Sequence, residues 1–196
     1  MAVPMPTQQP AQKVLTYEEY LRLPETMQRY EIIEGELHVT KAPSNDHQII
    51  CGRLIAALSV WNDRTGAGFV LPVPGVVFAE DDAVIPDVVW VQKERYPRIM
   101  DAGRHFAEAP ELVIEVLSPG SANQRRDCEL KLALYGRREV PEYWIVNWER
   151  RLVEVYRREG TALQLTVTLT EDDTLSSPQL ASFVCLVASL FAGLPS

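Results

Sequence analysis

Glu111-Leu112-Val113-Ile114-Glu115-Val116-Leu117-Ser118-Pro119 reads as a strand covered on both faces, with one acid, Glu115, set in its middle. An ionised carboxylate in an apolar strand costs on the order of several kcal/mol unless a cation or a proton accompanies it. The chain offers company for it. Asp87, in Ile85-Pro86-Asp87-Val88-Val89-Trp90-Val91, opens a second apolar strand, and Lys131 follows Glu115 in a predicted helix.

Working outward, Asn123 to Arg138 reads as that helix, with Leu130, Ala133 and Leu134 facing inward and Asp127 and Lys131 four apart on another face. Glu142–Asn147 and Leu152–Tyr156 form a predicted hairpin, followed by a strand over Ala162–Leu169. Upstream, Thr16 and Glu19 fit a capping box for a short helix ending near Pro24. Tyr30–Ile33 and Glu36–Thr40 flank Glu34-Gly35 as a hairpin. Ser44 or Asn45 caps a helix whose Ile50, Leu54, Leu58 and Trp61 share one face, and Gly66 and Gly68 end it. Phe69–Leu71, Gly75–Ala79 and Ile85–Val91 read as three short strands, and 92–109 as a polar surface connection. The apolar stretch Leu180 to Leu194 reads as a core-docking helix, being shorter than the ~20 residues of a membrane span. Residues 1–14 read as a flexible tail and 15–196 as a single domain, of α/β (α+β) class, with a mixed sheet and a few helices.

The 196 residues are 46% hydrophobic and 23% charged, which fits a folded domain. The net charge of −8 means that any phosphate binding uses a local basic patch. Cys51, Cys128 and Cys185 have no Cys-x-x-Cys spacing and read as reduced thiols, and the first residues lack the features of a secretory leader; a cytoplasmic setting fits both. The three cysteines and three histidines show no zinc spacing, and Gly66-Ala67-Gly68 lacks the Lys-Ser/Thr of a phosphate loop.

Two carboxylates converging on one point suit Mg²⁺, with Mn²⁺ as a substitute, and a nearby lysine orients water and offsets charge on a phosphate. Asp87, Glu115 and Lys131 supply these parts of a metal-dependent phosphodiesterase site. Structural readings stand beside this one: a turn residue after Pro86 for Asp87, a buried ion pair for Glu115, and an i,i+4 partner of Asp127 for Lys131. Arg125 and Arg126, with Arg137 and Arg138 beyond, are candidate phosphate contacts or a solvated helix face. If the two acids converge without a metal, repulsion raises their pKa values.

These motifs resemble the Uma-two family of restriction endonucleases, a branch of the PD-(D/E)XK nuclease superfamily. The resemblance rests on Tyr30-Glu31-Ile32-Ile33-Glu34-Gly35-Glu36-Leu37, Pro43 with Ser44 and His47, Pro86-Asp87, the Glu115 run, Asp127 with Lys131-Leu132-Ala133-Leu134-Tyr135, and Val140-Pro141-Glu142-Tyr143-Trp144-Ile145-Val146. It implies a restriction-endonuclease-like mixed central β-sheet flanked by helices, and Mg²⁺-dependent cleavage of DNA. By resemblance, Asp87 matches the motif Asp and Glu115 the motif Glu, both as metal ligands. Leu117 stands where the superfamily has its strand lysine, and Lys131 takes that part from the following helix. Glu31 and His47 match further family positions, as an added carboxylate and a phosphate contact. A homodimer would suit cutting both strands, and no membrane partner is implied. Two rivals remain: a catalytically silent nuclease-fold binding or assembly module, and a glycosidase-like acid and base pair, in which Lys131 has no part.

Overall fold

A computed structural model describes residues 15–22, 29–40, 42–118 and 124–194. The tail read over 1–14, the helix end near Pro24 and the break at 119–121 lie outside the described residues. The center is a six-stranded mixed sheet of β3 (Gly68–Pro72), β6 (Val88–Gln92), β7 (Leu112–Val116), β8 (Glu142–Asn147), β9 (Leu152–Glu159) and β10 (Ala162–Leu169). Its order is β10-β9-β8-β7-β6-β3, with β7 and β8 parallel and the other neighbours antiparallel. A second sheet has the order β2-β1-β5-β4, from β1 (Arg29–Ile33), β2 (Glu36–Thr40), β4 (Val76–Ala79) and β5 (Asp82–Val84). Glu34 and Gly35, both at positive φ, make the two-residue turn between β1 and β2 that follows the twist of a hairpin.

Every residue of β7 is buried, because the central sheet carries apolar layers on both faces. On one face Trp90, Ile114, Trp144 and Val155 pack with α2 (Asn45–Thr65), the hairpin of β11 (Thr174–Ser177) and β12 (Leu180–Leu186), and α4 (Val187–Phe191). Ser44 caps α2 by accepting from the His47 N–H, and Gly66 closes it in the left-handed conformation. Leu54 and Leu58 on its inner face are buried, each contributing about 1.5–3 kcal/mol. On the other face Val89, Val113, Tyr143 and Ile145 meet α3 (Lys131–Arg137) and residues Ile33, Val76 and Val84 of the second sheet. Ahead of α3 lies a π-helical segment, Arg126–Leu130, in which the Lys131 N–H bonds back to the Arg126 carbonyl.

Four local readings are corrected. Asp87 stands just before β6, and β5 is a separate strand ending at Val84. Ala133 is exposed, whereas Lys131, Leu134 and Tyr135 are buried, because the π-helical segment adds a residue and turns the inner face. The stretch 92–109 buries Ile99 and Phe106 and is stitched to β4 by a bridge from Val76 to Phe106. The C-terminal apolar run is β12 followed by only five helical residues. Among the described residues no helix is long and apolar enough to cross a membrane.

Candidate metal centre

The ladder between β6 and β7 pairs Val88 with Ile114 and Val89 with Val113. Continued by one residue, this register sets Asp87 opposite Glu115 on the face that meets α3. The backbone N–H of Val116 donates to Asp87 Oδ2 at 2.9 Å, so the acid is tied to the strand that carries its partner. The same oxygen lies 3.0 Å from His47 Nε2 in the first turn of α2, and Oδ1 accepts from Arg29 of β1 at 2.9 Å. Three separate elements, β7, α2 and β1, thus meet at Asp87.

Glu115 is held differently. Its Oε1 accepts from Lys131 Nζ at 2.8 Å and from the Tyr135 hydroxyl at 3.0 Å, two donors one helical turn apart. Among the described residues no protein donor reaches its Oε2. Lys131 is only 1% exposed, and its ammonium also lies 2.8 Å from Glu31 Oε1 and 3.9 Å from Asp127 Oδ1. Glu31 accepts the Ile85 N–H as well, and Arg126 grips Asp127 through Nε at 2.8 Å and Nη2 at 3.1 Å. A cleft of about 540 Å³ opens on this cluster, its wall including Arg29, Ser44, His47, Asp87, Glu115 and Arg126. Lys131 is not part of that wall; it backs Glu115.

The electrostatics follow from a simple inventory. Four buried carboxylates, Glu31, Asp87, Glu115 and Asp127, face three cations, Arg29, Arg126 and Lys131, leaving the imidazole aside. With all four ionised, one negative charge is in excess of these cations, and Glu115 is the carboxylate on which a proton is held most readily. Burial pushes the Glu115 pKa up to about 8; Lys131 opposes this, while Asp87, Asp127 and Glu31 add to it. Burial also acts on Asp87, but the His47 hydrogen bond and the charges of Arg29 and Lys131 outweigh it and hold Asp87 well below the usual carboxylate range. The expectation that both acids are raised is therefore corrected: of the two, Glu115 is raised and Asp87 is not, while burial raises Asp127 in the same cluster against the opposing charges of Lys131 and Arg126. Burial tends to lower the Lys131 pKa, yet its ring of carboxylates raises it, so it stays charged.

This donor set fits a divalent cation. A hard carboxylate oxygen without a protein donor, beside a second carboxylate and an uncompensated charge, is what Mg²⁺ or Mn²⁺ requires. The raised pKa has a measurable consequence. An acid protonated more readily in the folded state contributes stability that is fully present below its unfolded value of 4.5 and is lost as pH rises toward about 8. In EDTA, the melting temperature is expected to fall across that window, and Glu115→Gln should flatten the slope. A slope unchanged by Glu115→Gln would place the titrating group elsewhere.

The structure brings Asp87, Glu115, Lys131, Glu31, His47 and Arg126 together. It does not bring Arg125, which is exposed and paired with Glu129 at 3.3 Å, and Arg126 faces the cleft with its guanidinium already committed to Asp127. Arg137 pairs with Glu34 and Arg138 with Asp82, lining a different pocket. Sequence reasoning gave no part to Arg29 or Tyr135. Both had a signal: Arg29 and Glu31 share a strand face by the period of two, and Tyr135 sits one turn from Lys131.

A family model described as Uma2, "Putative restriction endonuclease", matches residues 17–188, most of the chain. The chain belongs to the Uma2 family. No curated protein matches the sequence. Among solved structures, a "putative nuclease belonging to DUF820" from Anabaena variabilis superposes with a TM-score of 0.73 at 20% identity, covering 90% of this chain and 97% of that one. At that identity the likeness speaks for the fold, and the restriction-endonuclease-like mixed sheet expected from sequence is the one observed.

Proposed function

We propose that the chain is a divalent-metal-dependent endonuclease that hydrolyses phosphodiester bonds, with DNA as its substrate. The observation that carries this reading is the pairing of Asp87 with Glu115 on one cleft wall, with a negative charge in excess and Glu115 Oε2 left to a ligand. Membership of a family described as restriction endonucleases supports it, as does the nuclease fold of the solved neighbour. Asp87 and Glu115 would hold Mg²⁺ or Mn²⁺, and the ion, when bound, would supply a Lewis acid for the phosphoryl oxygens and a water of lowered pKa.

The chain's own residues do the rest. Lys131 and Tyr135 fix Glu115 by one oxygen, so the other stays aimed at the ligand. Lys131 remains protonated and holds Glu31 and Glu115 together, which makes it a positioning residue. Arg29 stands on the cleft wall about a quarter exposed and offers a guanidinium to a phosphate. The start of α2, a 21-residue helix, also lines the cleft, and its positive dipole end favours an anion there. These local charges let a chain of net charge −8 take up a polyanion. Cutting both strands of a duplex calls for two copies of the cleft, so a homodimer suits the reading. The free cysteines fit a cytoplasmic setting.

The silent-module reading draws on one observation: both oxygens of Asp87 already accept protein donors. Incubating the purified protein with supercoiled DNA, single-stranded DNA and RNA, in Mg²⁺, Mn²⁺ or EDTA, separates the two. The nuclease reading expects ion-dependent nicking of DNA that EDTA stops. Retention of DNA on the protein without any cleavage under all ions would favour the module.

A further inference from the structure

We propose that the turn after β3, Val73-Pro74-Gly75, and the loop 101–105 packed on it form a contact ridge for duplex DNA beside the metal centre, with Val73 touching sugar and base edges and Arg104 a phosphate. The proposal rests on the DNA reading above and gives it a surface. Register puts the ridge in place. β3 pairs Pro72 with Val88, and the Val73 N–H donates to the Asp87 carbonyl at 3.0 Å, so the turn stands at the same end of the central sheet as the two acids.

Both side chains are displayed at a cost. Val73 has φ 51° and Arg104 φ 67°, in the left-handed region that a β-branched residue rarely enters and where a turn built only for connection would carry Gly or Asn. Val73 is also 49% exposed, an apolar side chain held in a strained backbone next to the acid of the site. The second loop is locked to the first: the Phe106 N–H donates to the Gly75 carbonyl at 3.0 Å, and a Cβ on Gly75 would lie 2.5 Å from the His105 ring, so only glycine allows the approach. Arg104 stands across a hollow of about 150 Å³ from Pro74 and Gly75. Asp101, the nearest acid in its loop, accepts the His105 N–H at 2.8 Å and lies 3.8 Å from the His105 ring nitrogen. Among the described residues no carboxylate pairs with Arg104, whereas Arg95, Arg137 and Arg138 are each tied to acids. An unneutralised guanidinium and an exposed apolar tip side by side suit a duplex, which offers phosphates to the one and sugars and base edges to the other.

Fluorescence anisotropy of a labelled DNA duplex, read in EDTA so that no strand is cut and between about 50 and 200 mM salt, tests the ridge in the full chain. Arg104→Gln is expected to weaken binding and to make the plot of log affinity against log salt shallower by about 0.9, the loss of one phosphate contact. Arg64→Gln removes an exposed cation from the last turn of α2, about 30 Å along the helix from the turn that lines the cleft, and should leave that slope unchanged. Val73→Gly relieves the strained backbone, so it is expected to melt at or above the wild type while binding DNA roughly 3–10-fold more weakly, the scale for about half of a valine side chain left in water. A wild-type slope in Arg104→Gln, or Val73→Gly binding as tightly as the wild type, would overturn the ridge and leave the metal centre standing. A wild-type protein that holds no duplex would instead remove the DNA reading and the ridge with it.

Discussion

Glu115→Ala is expected to abolish ion-dependent DNA cleavage, lowering the rate by at least the roughly 10²–10³-fold seen for loss of one group that stabilises transition-state charge. It removes the carboxylate oxygen of the pair that, among the described residues, has no protein donor. Lys131 keeps Glu31 and Asp127 as partners, so the fold should survive the change. Asp87→Ala should be equally inactive, but it leaves the Val116 N–H without its acceptor and takes the carboxylate partner from Arg29, so it should melt earlier as well. Plasmid nicking and far-UV circular dichroism on the same samples check both. Wild-type-like nicking by Glu115→Ala, with the fold intact, would move the chemistry to another site.

Lys131→Met carries the largest expected cost in stability. It removes a buried ammonium from between Glu31, Glu115 and Asp127 at nearly constant shape and leaves the cluster two negative charges in excess in place of one. Breaking a buried ion pair by removing one partner costs about 3–5 kcal/mol. Urea unfolding at neutral pH should register a loss of that size, part of which Lys131→Met combined with Glu115→Gln restores by removing one of the stranded charges. A loss under about 1 kcal/mol would mean that Lys131 behaves as a surface residue. Cleavage by a Lys131→Ala protein that remains folded should slow by roughly 10²–10³-fold, since Glu115 is no longer held.

Much of this site was legible because it breaks local rules. A lone acid in a run that is otherwise apolar, and an Asp after a proline at the mouth of another, are conflicts that a strand alone does not resolve. Asp127 was legible as the i,i+4 partner of Lys131, but Glu31 was not, since it comes from a strand far away in sequence, and neither was the gathering of all three acids around one ammonium. A lysine read alone belongs in water, and its burial exists only once the fold has gathered these acids. Ala133 was misplaced for a local reason: periodicity at 3.6 residues per turn has no room for the extra residue at Arg126–Leu130. In the C-terminal run, Leu180 and Phe183 are both buried although three residues apart, which mimics a helix. Ser182 at positive φ breaks the strand alternation there, and no sequence pattern marks that kink. Phe106, held by isolated bridges to Val76 and Met100, and Ile99 are buried apolar residues in a polar stretch with no strand or helix period to reveal them.

The central claim is that Glu115 carries a charge awaiting a cation, and thermal unfolding of the wild-type and Glu115→Gln proteins near pH 8, in EDTA and in millimolar Mg²⁺, tests it most directly. Gln keeps the shape and an oxygen for Lys131 and Tyr135 while removing the excess charge. The account predicts that in EDTA Glu115→Gln melts at or above the wild type, and that Mg²⁺ raises the melting temperature of the wild type by binding the folded state but leaves the variant unmoved. A Glu115→Gln protein that is markedly less stable in EDTA, and that Mg²⁺ stabilises as much as the wild type, would show a structural ion pair with Lys131 and contradict the metal centre.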